Sequence, residues 1–287
     1  MKIGVFFSLE KSSGGAYHQA LKTIKLLSKI NEVNFKFYNI CSSKNDFFDK
    51  NTKLYLVSII DSFFFLFYNS EIFKTLIKKF KIKNKFEKFI KEENLNIIFF
   101  IGNSRFSIFC NNIDYITYVY EFHHIFRPDL PEYKGWTDFD FREKLMKLDV
   151  RKSTALIVDT EKKADDLKNY YNCIREKIHV IPLSSNIVEK NLTTNEQTSI
   201  ILKDIFKSNE EYYFYPAQYW SHKNHIYLLE VLRLLKDKYD KKIKFIFTGS
   251  RKENYEKIVQ TINKFNLNDQ VIIMEYVNNY EIQELYK

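Results

Sequence analysis

Glycine and proline are scarce in this chain of 287 residues, at 6 and 4, which excludes collagen-like, low-complexity and disordered architectures. Cysteine is scarce too. Cys41, Cys110 and Cys173 are odd in number, lie far apart and form no CxxC, so no disulfide framework is predicted and a reduced, cytosolic compartment is expected. There is no GxGxxG, which speaks against a dinucleotide dehydrogenase or epimerase. The opening run MKIGVFFSLEK meets Glu10 and Lys11 too early for the apolar region of a signal peptide and reads as a buried strand. The most apolar stretch, residues 54–68 (LYLVSIIDSFFFLFY), carries Asp61 and falls short of the roughly 20 residues a spanning helix needs. It reads as core or as membrane-surface contact. No arginine-rich arm, zinc spacing or RNA-binding signature is present, so nucleic acid is not expected as a partner.

What is there is aromatic and basic. Phe (27) and Tyr (20) dominate a 45% hydrophobic composition, enough for two ordinary domains with real cores. A formal net charge of +9 fits nucleic acid, an anionic membrane surface or an anionic substrate, and by itself does not choose among them.

Apolar runs at residues 3–7, 95–102, 113–120, 154–158 and 177–182 predict buried strands, with residues 33–40 as a further one. Helical patterns fall between them, at residues 16–27, 139–151 and 160–171, the last opened by Thr160 as N-cap. This rhythm without hairpin turns predicts a doubly wound parallel sheet whose ligands gather beyond the carboxyl ends of its strands. Residues 71–90, from Glu71 to Ile90, read as a basic amphipathic helix interrupted near Asn84. Its lysines either lie on anionic lipid as a peripheral membrane contact or form the solvated face of a helix covering the sheet.

Two loops in this first half hold candidate site residues. Gly14 and Gly15 follow the first strand, where the missing side chains either make a tight turn or let a ligand approach the backbone. EFHHIFRPDLPEYKGW follows the strand at 113–120, with Glu121, His123, His124, Arg127 and Asp129. His123 is the candidate there because it comes first after the strand. Adjacent histidines on an extended chain point in different directions, so no metal site is predicted.

Residues 212–225, YYFYPAQYWSHKNH, read as strand, polar loop and helix start, with Gln218, His222, Lys223, Asn224 and His225 gathered at a helix N-terminus. Unpartnered N–H groups, the helix dipole and the Lys223 charge together suit a phosphate. KIKFIFTG at 242–249 is the next strand, ending in Gly249 and followed by Arg251 and a helix. Residues 271–274 and a last helix at 280–286 complete three strand–helix units. The polar stretch 185–209 is the predicted linker, between a first domain at 1–184 and a second at 210–287.

The K-N-H wording after an aromatic strand, together with the Gly-Gly loop and the ending KIHVIP of the first domain, resembles the GT-B glycosyltransferases of family 4, glycosyl transferases group 1. That resemblance covers most of the chain. It implies an α/β, GT-B fold of two Rossmann-like domains with parallel sheets, the second incomplete. By resemblance, Lys223 contacts the diphosphate of a nucleotide-sugar donor, and Gly14, Gly15, Gln218, Asn224, Gly249 and Arg251 line the donor site. Many relatives carry Arg where this chain has Gln218. His123 would join Lys223 in catalysis, facing the acceptor. The implied reaction is retaining transfer of a hexose such as mannose to a saccharide or lipid-linked acceptor in cell-surface polysaccharide synthesis. No cofactor or metal is implied, and the chain is expected in the cytoplasm, peripheral on the inner face of the membrane if the basic helix binds lipid. The family's E-x7-E motif would fall beyond Lys287. A truncated, non-catalytic relative acting in binding, or one part of a split enzyme, is the alternative expectation.

Overall fold

The computed structural model describes residues 1–8, 15–41, 52–67, 70, 75, 79, 84–130, 139–183 and 211–286. The chain divides into two compact units, Met1–Ser185 and Asn186–Lys287.

The first unit is built on seven strands: β1 (Lys2–Phe7), β2 (Asn34–Cys41), β3 (Thr52–Leu56), β4 (Ile97–Phe100), β5 (Asp114–Tyr118), β6 (Ala155–Val158) and β7 (Ile178–Val180). They pair in the order β3-β2-β1-β4-β5-β6-β7, every pair parallel. The chain reverses direction of growth at β1, which has β2 on one side and β4 on the other. β1 is accordingly buried on both faces. Its alternate side chains separate, as the pleat requires: Phe6 enters a core with Tyr38, Tyr55, Phe86 and Phe100, whereas Val5 and Phe7 pack with Ala20, Ile24, Phe37 and Phe99. Phe6 stacks on Tyr38 with ring centroids 4.7 Å apart. Aromatic abundance is thus spent on filling the space between sheet and helices.

The helices follow the sequence signals. α1 (Gly15–Leu27) buries Tyr17, Ala20 and Ile24 against the sheet. The apolar stretch at 54–68 resolves into two elements, the edge strand β3 and the helix α2 (Ile59–Phe67). Asp61, the one charge in that stretch, explains the break. Its Oδ2 accepts from the Ser58 N–H and hydroxyl and from the Tyr55 hydroxyl, and its own N–H donates to Ser58 Oγ, a capping box that starts α2. Asn84 is where a helix begins: its side chain caps α3 (Lys85–Glu92) by accepting from the Glu87 N–H. The rest of the predicted basic helix, residues 71–74, 76–78 and 80–83, lies outside the described residues, as does the predicted linker. A single turn, α4 (His123–Phe126), precedes α5 (Phe139–Lys152), and Thr160 caps α6 (Glu161–Tyr171) through the Lys163 N–H.

The second unit has a parallel three-stranded sheet in the order β10-β9-β8, from β8 (Tyr212–Pro216), β9 (Lys244–Thr248) and β10 (Val271–Met274). Each strand is followed by a helix: α7 (His225–Tyr239), α8 (Tyr255–Lys264) and α9 (Asn279–Leu285). Leu229, Leu232, Phe247, Ile258 and Ile262 form the core between sheet and helices.

Candidate functional site

The segment after β8 is a 3-10 turn, Ser221–Lys223, leading through Asn224 into α7. Asn224 takes φ 54° and ψ 39°, the left-handed region that asparagine tolerates better than other side chains, and its side chain does not cap the helix. Of the first-turn N–H groups of α7, that of Tyr227 donates to the Asn224 carbonyl at 3.1 Å, and those of His225 and Ile226 keep their capacity for an outside acceptor. Lys223 closes the 3-10 turn with an exposed side chain, and among the described residues its ammonium has no hydrogen bond or ion pair. Its backbone is held: the Lys223 carbonyl accepts from the Tyr215 hydroxyl at 2.8 Å, and the Lys223 N–H donates to the Trp220 carbonyl at 3.1 Å.

Tyr219 anchors this loop. It is fully buried, and its hydroxyl lies 3.1 Å from the Phe247 carbonyl and 2.8 Å from the Met274 carbonyl, at the carboxyl ends of β9 and β10. Its backbone N–H donates to the Ser250 carbonyl and its own carbonyl accepts from the Asn254 N–H. Gly249 makes this close approach possible. A Cβ there would lie 2.5 Å from the Ala217 carbonyl oxygen and 2.7 Å from the Gln218 Cα, both backbone atoms of the loop. The glycine is thus required by packing between the two loops, which is a structural reason independent of any ligand.

His225 sits beneath the loop with no exposed surface, its ring 5.0 to 5.1 Å from those of Tyr215, Tyr219 and Phe247. Burial pushes its imidazole down to about 4. The nearby Lys223 charge acts in the same direction and the Ala217 backbone opposes it, although neither ring nitrogen completes a hydrogen bond. A neutral histidine here is a packing element of the loop floor.

The remaining candidates are placed with partners. The Gln218 side chain accepts from the Trp220 indole N–H at 3.0 Å. The Arg251 guanidinium is 2.8 Å from the Glu275 carboxylate and stacks over Tyr255 at 4.6 Å, so its charge is already shared. Glu253 receives the Ser221 N–H at 2.8 Å, using one donor of the 3-10 turn. Lys223, Asn224, Gln218, Gly249 and Arg251 thus all lie at the carboxyl end of the second unit's sheet. Tyr219 and Glu253 escaped sequence reasoning. A tyrosine inside a polar loop was the only signal for the first.

In the first unit, Gly15 opens α1 with nothing within 4 Å of a would-be Cβ, so no contact demands glycine there, and Gly14 lies outside the described residues. β5 ends at Tyr118, so His123 and His124 stand not on extended chain but on the single turn α4. The side chain of His123 is outside the described residues. His124 is buried, with Nε2 3.3 Å from both the Glu143 carboxylate and the Tyr171 hydroxyl, and that hydroxyl donates to Glu143 at 2.5 Å. Burial pulls the His124 imidazole below its ordinary value against the pull of Glu143. The loop is also laced by Arg142 to Glu121 at 3.2 Å and by the bidentate Arg127–Asp129 pair.

Against known proteins, residues 197–287 match the family model of glycosyl transferases group 1. No curated protein sequence matches the chain. Among solved structures, Anabaena Alr3699/HepE in complex with UDP and glucose is similar with a TM-score of 0.62 at 13% identity, over 99% of this chain and 71% of that one. WaaG, a glycosyltransferase involved in lipopolysaccharide biosynthesis, is similar with a TM-score of 0.64 at 12% identity, over 99% and 72%. A TarM mutant from S. aureus in complex with fondaparinux, alpha-GlcNAc-glycerol and UDP gives 0.60 at 13%, over 96% and 77%. These likenesses establish the fold, an α/β GT-B architecture with parallel sheets.

Proposed function

From the match of residues 197–287 to the family model of glycosyl transferases group 1 and the GT-B fold of the chain, we propose that this protein transfers a hexose from a nucleotide-sugar donor to a saccharide or lipid-linked acceptor, with retention at the anomeric carbon, in cell-surface polysaccharide synthesis. The observation that carries this reading is the Lys223 ammonium, exposed and without a protein partner among the described residues, beside the uncapped N-terminus of α7. Breaking the bond from the anomeric carbon to the diphosphate leaves negative charge on the diphosphate oxygens. In this reading Lys223 and the His225 and Ile226 N–H groups of α7 hold that charge, and a fixed donor set stabilises a developing anion without reorganising. Arg251 adds charge at the same loop end only by giving up Glu275. His123 belongs to the acceptor side in this reading, and the Gly14–Gly15 loop faces the donor phosphates as well as the acceptor. Peripheral membrane contact through residues 71–90 would bring the protein to a lipid-linked acceptor.

UDP-glucose is the first donor to test, since UDP and UDP-glucose occupy similar structures. Donor binding should raise the melting temperature. Lys223→Ala should lower kcat for transfer or donor hydrolysis by about 10²–10³-fold, the usual effect of removing one donor to a developing anion. An active wild type whose turnover survives that substitution unchanged would remove Lys223 from the reaction.

A further inference from the structure

The loop between β9 and α8 carries three consecutive charges, Arg251, Lys252 and Glu253, and the fold uses the outer two. The Arg251 guanidinium meets the Glu275 carboxylate, and the Glu253 carboxylate accepts the Ser221 N–H. Lys252 meets no acid among the described residues. Its half-buried ammonium side chain lies over Trp220 instead, with Nζ 5.2 Å from the ring centroid. The backbone sets that placement, because the segment is fastened to Tyr219 at both ends: the Tyr219 N–H donates to the Ser250 carbonyl and the Asn254 N–H donates to the Tyr219 carbonyl, each at 3.2 Å. Trp220 is fixed too. Its indole N–H donates to Gln218 Oε1 and its backbone N–H to the Gln218 carbonyl at 2.8 Å, so Gln218 supplies a seat for the ring and no charge.

Lys223 comes to the same ring from the other loop. Its N–H closes the 3-10 turn on the Trp220 carbonyl, and side chains three residues apart in such a turn fall on one side. Two ammonium groups from the loops after β8 and β9 therefore flank Trp220, and neither has a carboxylate among the described residues. An indole face attracts one cation, but it does nothing to offset the repulsion between two. An anion that spans both does. We propose that Lys252 is the second cation of the diphosphate site, with Lys223 taking one phosphate of the donor and Lys252 the other, and with Trp220 as the positioning residue that holds the second ammonium. This assignment rests on the reading of Lys223 given above and adds a residue to it. It also says which anion suits the pair: a single phosphate is served by one ammonium, whereas two linked phosphates use both.

The experiment is titration calorimetry of the full chain with inorganic pyrophosphate, inorganic phosphate and UDP at low ionic strength. Wild type is expected to bind pyrophosphate and UDP more tightly than phosphate. Lys252→Ala should weaken both diphosphates by about tenfold, the usual loss of one charged contact, and narrow their margin over phosphate, with an unchanged melting temperature. Lys252→Arg should restore most of the affinity. Trp220→Leu should weaken pyrophosphate as Lys252→Ala does, and the double variant should be no weaker than either single one, because both remove the same contact. Lys238→Ala, which removes a cation over Tyr239 at the far end of α7, should bind as wild type. Wild-type diphosphate affinity in Lys252→Ala, with Lys223→Ala weakened, would overturn this assignment and leave Lys223 in place. A wild type that binds neither pyrophosphate nor UDP would overturn both.

Discussion

Tyr219 shows how much of the loop after β8 rests on one hydroxyl. It bridges the carbonyls of Phe247 and Met274, so the loop after β8 is tied to the ends of the two neighbouring strands. Tyr219→Phe keeps the ring packing against His225 and Tyr255 but removes the one buried O–H donor that the Phe247 and Met274 carbonyls share, at a cost of about 1–3 kcal/mol. A lower denaturation midpoint, with donor affinity falling more than the loss of stability alone explains, is the expected result. Equal stability would mean that water or another donor replaces the hydroxyl. The wording of residues 212–225 was legible as a phosphate-type loop, because strand, turn and helix-start signals are local. The preference for His123 over His124 was drawn from its place first after the strand, whereas β5 ends at Tyr118 and both histidines stand on the turn α4. What the structure adds is that His124 is held inside by Glu143 and Tyr171.

For whole elements, most strands were legible because parallel strands buried on both faces appear as unbroken apolar runs. β3 was not, since its apolar residues merge into those of α2 and the alternation that separates them lasts only five residues. The break is made by Asp61 and Ser58, a start signal hidden inside an apolar stretch. Asp61→Ala removes the capping box and leaves the Tyr55 hydroxyl buried without its acceptor. It should destabilise the first unit by about 2–3 kcal/mol and lower amide protection at the start of α2. Hydrogen exchange across residues 58–62 measures this, and unchanged protection there would refute the capping role.

Across the molecule, two buried groups, one in each unit, respond oppositely to acid. In the first, burial raises the Asp149 carboxyl to about 7, with Tyr115, Ser107 and Asn103 opposing. An acid raised in the folded state contributes stability that is full below its unfolded value near 4 and is lost as pH rises through 7. In the second, His225 is depressed to about 4 from an ordinary 6.5. Its contribution is full above about 6.5 and is lost as pH falls towards 4. Moving from pH 7 to pH 5 should therefore raise the contribution of Asp149 and lower that of His225, each by on the order of 2 kcal/mol, with the depressed His124 of the first unit acting in the same direction as His225. Calorimetry at the two pH values should show Asp149→Asn flattening the first response and His225→Phe the second. The same pH dependence in wild type and variants would dismiss both assignments.

Sequence alone determined the alternation of strands and helices, the division into two α/β units and the strand, loop and helix start at residues 212–225, because each depends on apolar spacing and turn chemistry within a few residues. Tertiary structure alone decided which polar groups meet inside. Asp149 finds Tyr115 across 34 residues, and the Tyr219 hydroxyl finds its two carbonyls 28 and 55 residues away. Those outcomes depend on how strands order and helices pack over the sheet, and no local pattern in the chain encodes that order.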